Sequence, residues 1–263
     1  MTIIEAIILG IVEGLTEFLP VSSTGHLILA DTIMGLQNEE FVKTFEISIQ
    51  LGAILSVLTL YYKKFLVSFD IYVKLAVAFI PTGIIGLLAY ETIKTYLFNP
   101  FVVAVALIVG GIFLILLDRW SNKEESKYEK PEDISFLGAV KIGLFQCLSM
   151  IPGVSRAAAT IFGGIFAGFN RKQAAEFSFL LAIPTMFAAT GYDLYKTGAS
   201  FDKQEWILLG VGLVVAFISA LLAVKAFIYY LTKYGFKHFG YYRIIIGVLF
   251  LIFALYFGLE LQP

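Results

Sequence analysis

Two apolar stretches of this chain are broken by proline at a length barely enough to cross a bilayer. The run "TIIEAIILGIVEGLTEFLP" stops at Pro20, and "SFLGAVKIGLFQCLSMIP" stops at Pro152. Each gives way to a short tip, "VSSTG" or "GVS", and then to a second brief apolar run. Hydropathy predicts ten helical segments, near 2–18, 24–35, 43–62, 70–91, 99–118, 135–150, 156–168, 173–196, 205–230 and 241–259. A membrane-spanning helix needs about 20 residues, within a range of about 17–25. The third, fourth, fifth, eighth, ninth and tenth segments meet it. The second and seventh do not, and the first and sixth sit near its lower limit. Each broken pair therefore predicts a re-entrant hairpin that dips into the membrane and returns to the same side.

Composition agrees with an integral membrane protein. Hydrophobic residues make up 59% of the chain and charged residues 15%, with a mean hydropathy of +0.86. A soluble domain has about 45–50% and about 25%. One membrane domain over 1–263 is expected. The net charge of −1 and the lack of a long basic tract give no reason to expect a nucleic-acid partner. A single cysteine, Cys147, excludes an intramolecular disulfide and a multi-cysteine metal site. The N-terminus has neither a basic n-region nor a small-residue cleavage site, so no cleavable signal is expected.

The most charged loop, "DRWSNKEESKYEKPED", separates five segments from five. Shifting the first half by 133 positions sets Gly10 on Gly143, Glu13 on Gln146, Thr16 on Ser149, Ser22 on Ser155 and Tyr62-Lys63 on Tyr195-Lys196. This collinear similarity predicts a repeat, 1–118 and 134–263. A hairpin makes no net crossing and three spans make an odd number, so the second copy must be inverted. The expected fold is an all-α membrane protein of two inverted repeats, each a re-entrant hairpin plus three transmembrane helices. The two tips would then enter from opposite faces and meet near the midplane. One face carries Lys63, Lys64, Arg119, Lys123, Lys127, Lys130, Arg171, Lys172, Lys233, Lys237 and Arg243, against Lys43, Lys94, Lys196 and Lys203 on the other. The positive-inside rule makes the first face cytoplasmic and puts both termini outside.

The polar residues concentrate at the breaks. Glu13 and Glu17, four apart, share one helix face. They could grip one divalent cation or set a base beside an acid. Ser22, Ser23 and Thr24 are good N-cap residues for a helix that starts inside the membrane, and such a start attracts anions. His26 stands in its first turn. In "IPGVSRAAATIFGG", Ser155 can cap a second such helix, and Arg156 adds a guanidinium suited to phosphate. Bland readings exist for each group: a buried ion network of Glu13, Glu17 and Arg156, serines that only cap, a structural His26. Glu46 and Glu176 suit a helix-dipole or interfacial role, Asp70, Glu91 and Asp193 suit interfaces, and His238 suits a surface. The joint occurrence of polar groups at two matched breaks favours a phosphate or diphosphate held at the membrane.

"EGLTEFLPVSSTGH" and "PGVSR…AT" closely resemble the signatures of the undecaprenyl-diphosphate phosphatase family, the bacitracin-resistance phosphatases of bacteria. "KTFEISIQLGAIL", "LFNP", "FQCL" and "AAEFSFLLAIP" extend the resemblance over essentially the whole chain. It implies a multi-pass enzyme of the bacterial inner membrane. Its reaction would remove the terminal phosphate of a C55 isoprenoid diphosphate and regenerate the lipid carrier for peptidoglycan synthesis. It marks Glu13, Glu17, Ser22, Ser23, Thr24, His26, Ser155 and Arg156 as site residues; Gln146 and Thr160 are further substrate-binding candidates. Ala157 stands where the family pattern has a serine.

On this reading Arg156 and the two helix N-termini hold the diphosphate. Glu13 and Glu17 bind Mg²⁺ or Ca²⁺, which take oxygen ligands. His26, with an unperturbed pKa of about 6.5, serves as acid or base. Ser23 is favoured as nucleophile over direct attack by water, and both stay open. The expected partners are the polyprenyl diphosphate, membrane lipids and a second copy of the chain. The alternative is a transporter or flippase for a phosphorylated lipid or anion.

Overall fold

The computed structural model describes residues 1–36, 40–67, 69–96, 100–121, 125–197 and 201–256, with side chains left undescribed at 40, 67, 90–96, 196, 197 and 256. Lys123 and the first three residues of "LFNP" lie outside the described residues, as do the side chains of Glu91, Lys94 and Lys196. The described residues form ten α-helices and no strand. They are α1 (Ile3–Thr16), α2 (Ser23–Met34), α3 (Glu40–Val67), α4 (Asp70–Tyr96), α5 (Pro100–Trp120), α6 (Phe136–Cys147), α7 (Arg156–Ala167), α8 (Arg171–Thr197), α9 (Lys203–Tyr234) and α10 (Lys237–Tyr256). Short 3₁₀ turns, Pro131–Asp133 and Leu148–Met150, flank α6.

Six helices, α3, α4, α5, α8, α9 and α10, are long and apolar enough to cross a membrane, so the chain is a multi-pass membrane protein. At 1.5 Å per residue, the 14 residues of α1 and the 12 of α2 reach only about 21 and 18 Å. The hydrocarbon core is about 30 Å thick. Large apolar side chains such as Leu87, Leu88, Phe113, Leu222 and Ile245 are exposed on the long helices, as a lipid solvent permits.

Local chemistry sets the helix ends. Thr2 and Glu5 form a capping box on α1, and Asp202 and Glu205 form one on α9. Gly35 and Gly168 end α2 and α7 in the left-handed conformation, at φ 73° and 110°. The offset of 133 positions recurs in the helix starts: Ile3 and Phe136, Ser23 and Arg156, Asp70 and Lys203. It recurs in packing too. α1 lies along α9, α6 lies along α4, and α5 pairs with α10. Gly10 faces the Gly212 carbonyl, and its counterpart Gly143 faces that of Ala78, each too closely for a side chain.

Candidate functional site: the two helix breaks

The break after α1 and the break before α7 share a backbone feature. Ser22 (φ 72°, ψ 93°) and Ser155 (φ 77°, ψ 120°) are the two non-glycine residues with positive φ among the described residues. Each caps the helix that follows: Ser22 Oγ accepts from the Gly25 amide at 3.3 Å, and Ser155 Oγ from the Ala158 amide at 3.2 Å. Holding a residue there costs on the order of 1–3 kcal/mol and is met mainly where surrounding structure enforces it. Both serines are buried.

Glu17 joins the breaks. Arg156 Nη2 donates to its Oε1 at 3.1 Å, and Ser23 Oγ donates to its Oε2 at 2.5 Å. The Arg156 guanidinium also donates through Nη1 to the Ser178 carbonyl at 2.8 Å, and lies over the Phe18 ring, 5.6 Å from its centroid. Thr160 donates to the Ser178 hydroxyl at 2.6 Å and so fixes the residue that holds Arg156. Phe18 packs edge-on against Phe179. This cluster offers a hydroxyl, a carboxylate able to take its proton, a guanidinium and two helix N-termini of the kind that attract an anion.

Glu13 is fully buried, and neither of its oxygens accepts a hydrogen bond among the described residues. It interacts electrostatically with Glu17 and with Glu46 on α3, which in turn interacts with Asp31 on α2. Such a row of buried acids calls for positive charge, supplied by protons or by a metal cation. No group of three His, Cys, Asp or Glu among the described residues is arranged to hold a metal by itself. The orphaned Glu13 oxygens beside Glu17 do fit the sparser kind of site, in which one or two carboxylates share a cation with substrate oxygens and water.

His26 lies at the same break, with both ring nitrogens bonded to groups other than Ser23. Its Nδ1 is 2.7 Å from the Ser22 carbonyl, which only accepts, so Nδ1 carries the proton. Nε2 is 2.8 Å from the Tyr242 hydroxyl and accepts from it when the ring is neutral, with the two rings stacked at an interplanar angle of 4°. Thr24 is half-buried in the first turn of α2. Gln146 takes another place: its amide nitrogen donates to Thr82 at 2.9 Å and Thr185 at 3.2 Å, between α4 and α8. Thr160 touches Arg156 through its backbone carbonyl, at 2.9 Å. Ala157 is fully buried. Glu176 pairs with Lys64 at 2.6 Å, and His238 is exposed.

One expectation is overturned. Arg243, counted among the charges of an aqueous face, is 0% exposed and hydrogen-bonded to backbone carbonyls at the breaks. Counting charges along the chain assumes that an arginine near a helix start reaches water. This one is the seventh residue of a 20-residue apolar helix. The sequence reading also passed over Ser178 and Tyr242. A lone arginine in "YYRIIIGVLF" was the available signal, since intramembrane charges mark sites.

A family model described as "Bacitracin resistance protein BacA" matches residues 6–249. An undecaprenyl-diphosphatase of Wolinella succinogenes is 55% identical over 253 residues, 96% of this chain and 98% of that protein. Those of Persephonella marina and Aquifex aeolicus are 53% identical over 255 residues and 52% over 257, each covering 97% of this chain and 100% of its relative. With the family model spanning both breaks and identity of this level over nearly the full length, the chain belongs to the bacitracin-resistance BacA family.

Proposed function

We propose that the protein is a membrane phosphatase that removes the terminal phosphate of undecaprenyl diphosphate and leaves the monophosphate carrier. The observation that carries this reading is Glu17, whose carboxylate holds Ser23 from one break and Arg156 from the other. Its family relatives bear the name of that activity. In the proposed reaction Arg156 and the N-termini of α2 and α7 bind the diphosphate. Ser23 Oγ attacks the terminal phosphorus while Glu17 takes its proton. The bond from that phosphorus to the bridging oxygen breaks, and the lipid monophosphate leaves. Water then cleaves the phosphoserine. Glu17 replaces His26 as the base for Ser23, because both ring nitrogens of His26 are engaged elsewhere. Glu13 and Glu17 would hold Mg²⁺ or Ca²⁺, which neutralises charge on the phosphoryl oxygens when bound.

The same reading takes the two halves as inverted repeats with re-entrant hairpins. The matched serine caps, the recurring offset of helix starts and the short helices beside each break support it. Lysine and arginine, recounted without Arg243, still favour a cytoplasmic side at the α3–α4 and α5–α6 connections. The termini and an outward-facing site then lie on the opposite side. An apolar groove lined by Phe101, Val105, Val109, Ile151 and Val154 beside the second break suits the isoprenoid tail. A transporter could bind a phosphate between the same tips, but it would not need a serine hydroxyl held on a buried carboxylate. Purified protein in detergent should release phosphate from undecaprenyl diphosphate and stop when chelated. Tight binding of the lipid with no release would favour the carrier.

A further inference from the structure

Broken helices leave carbonyls without partners, and inside a bilayer no water is available to satisfy them. One side chain meets that need at both breaks. Arg243 Nη1 donates to the Pro20 carbonyl at 3.0 Å and to Val154 at 2.9 Å. Nη2 donates to Gly153 at 2.8 Å and to Ala106 at 3.1 Å, and Nε to Leu107 at 3.4 Å. All five N–H groups of the guanidinium are used, and all five acceptors are backbone. Pro20 and Gly153 each stand three residues before a reacting-site residue, Ser23 and Arg156. Arg243 thus ties corresponding points of the two breaks to each other and to α5. The chain makes room for it at Gly110, where a Cβ would collide with Nη2.

We propose that Arg243 is a positioning residue: its guanidinium clamps the two breaks together and thereby sets Ser23 against Arg156. The consequence for catalysis rests on the phosphatase reading, while the clamp itself does not. Lysine keeps the charge but has three donors on one atom and cannot reach acceptors arrayed around a planar fork. A misplacement of about 1 Å can cost about a hundredfold in rate. Arg243→Lys and Arg243→Gln should therefore both lower kcat by about that factor, with KM changed by less than about threefold.

Gly110→Ala supplies an independent lever, because it acts on the guanidinium from α5 and lies outside the site. It should lower kcat at least about tenfold alone, yet add nothing in the Arg243→Gln background. Hydrogen exchange followed by mass spectrometry reads the clamp without substrate: amides of 21–26 and 153–158 should exchange faster in Arg243→Gln, with α3 and α8 unchanged. A folded Arg243→Lys protein with kcat within about threefold of wild type, or breaks whose exchange does not change, overturns the proposal. If the Arg243 variants cannot be recovered folded, Gly110→Ala decides, and full activity in that variant overturns it. If wild type releases no phosphate, the phosphatase reading fails, and hydrogen exchange still judges the clamp.

Discussion

The Ser23 hydroxyl donates to the Glu17 carboxylate at 2.5 Å, and the other oxygen of that carboxylate receives Arg156, 139 residues away in sequence, at 3.1 Å. A single acid is thus shared by a nucleophile candidate and an anion-binding cation. Glu17→Gln removes the proton acceptor and leaves Arg156 facing a neutral amide. General-base assistance contributes about 10²–10⁴-fold, so kcat should fall by at least about a hundredfold. Breaking a buried ion pair costs up to about 3–5 kcal/mol, so the melting temperature should fall as well. Steady-state kinetics with a thermal melt in the same detergent check both, and a kcat within tenfold of wild type contradicts the role.

Attack by Ser23 leaves a mark. Rapid quench with diphosphate labelled in its terminal phosphate should trap label on Ser23, and peptide mapping should locate it. If Ser23→Ala retains more than about a tenth of the wild-type rate, a loss below what acid–base assistance typically supplies, water attacks directly.

The orphaned oxygens of Glu13 bear on the cation. Chelation should stop turnover, and added Mg²⁺ or Ca²⁺ should restore it. Glu13→Gln should raise the cation concentration needed for half-maximal rate by about tenfold or more, since even groups that only support a ligand are worth about 10–100-fold in affinity. A wild-type cation requirement in that variant would remove Glu13 from the metal site.

Inverted repeats place equivalent positions on opposite faces. Ile4 and Leu137 would be such a pair in the proposed fold, 133 apart and both exposed near the starts of α1 and α6. With Cys147 replaced, a cysteine at Ile4 should react with an impermeant maleimide in intact cells. One at Leu137 should react only after the inner face is opened. Labelling of both from outside would rule out the inversion.

Much of this architecture was legible in the sequence, because burial in lipid is written directly into hydropathy. All ten segments are helices, and Pro20 and Pro152 mark the breaks. Ser22 and Ser155 are the caps, since a hydroxyl before a helix satisfies amides locally. The partners that orient the site were not legible. Arg243 meets Pro20 across 223 residues, and His26 meets Tyr242 across 216. No local pattern encodes such a pairing. Gln146 stands 133 positions after Glu13, the offset that relates the helix starts, yet it lies against Thr82 and Thr185 on α4 and α8. Equivalence in sequence fixes the backbone position and leaves the neighbours free to differ.

The central claim is that one site is built from both breaks, and a double-mutant cycle tests it most directly. Phosphate release from undecaprenyl diphosphate would be compared for wild type, Ser23→Ala, Arg156→Ala and the double variant under one set of conditions. Residues that act as a unit are strongly non-additive. Each single variant should lose at least about a hundredfold in kcat/KM, in keeping with loss of one preorganised group, and the double variant should be little slower than the worse single. Losses that multiply, or an Arg156→Ala rate close to wild type, would contradict a shared site.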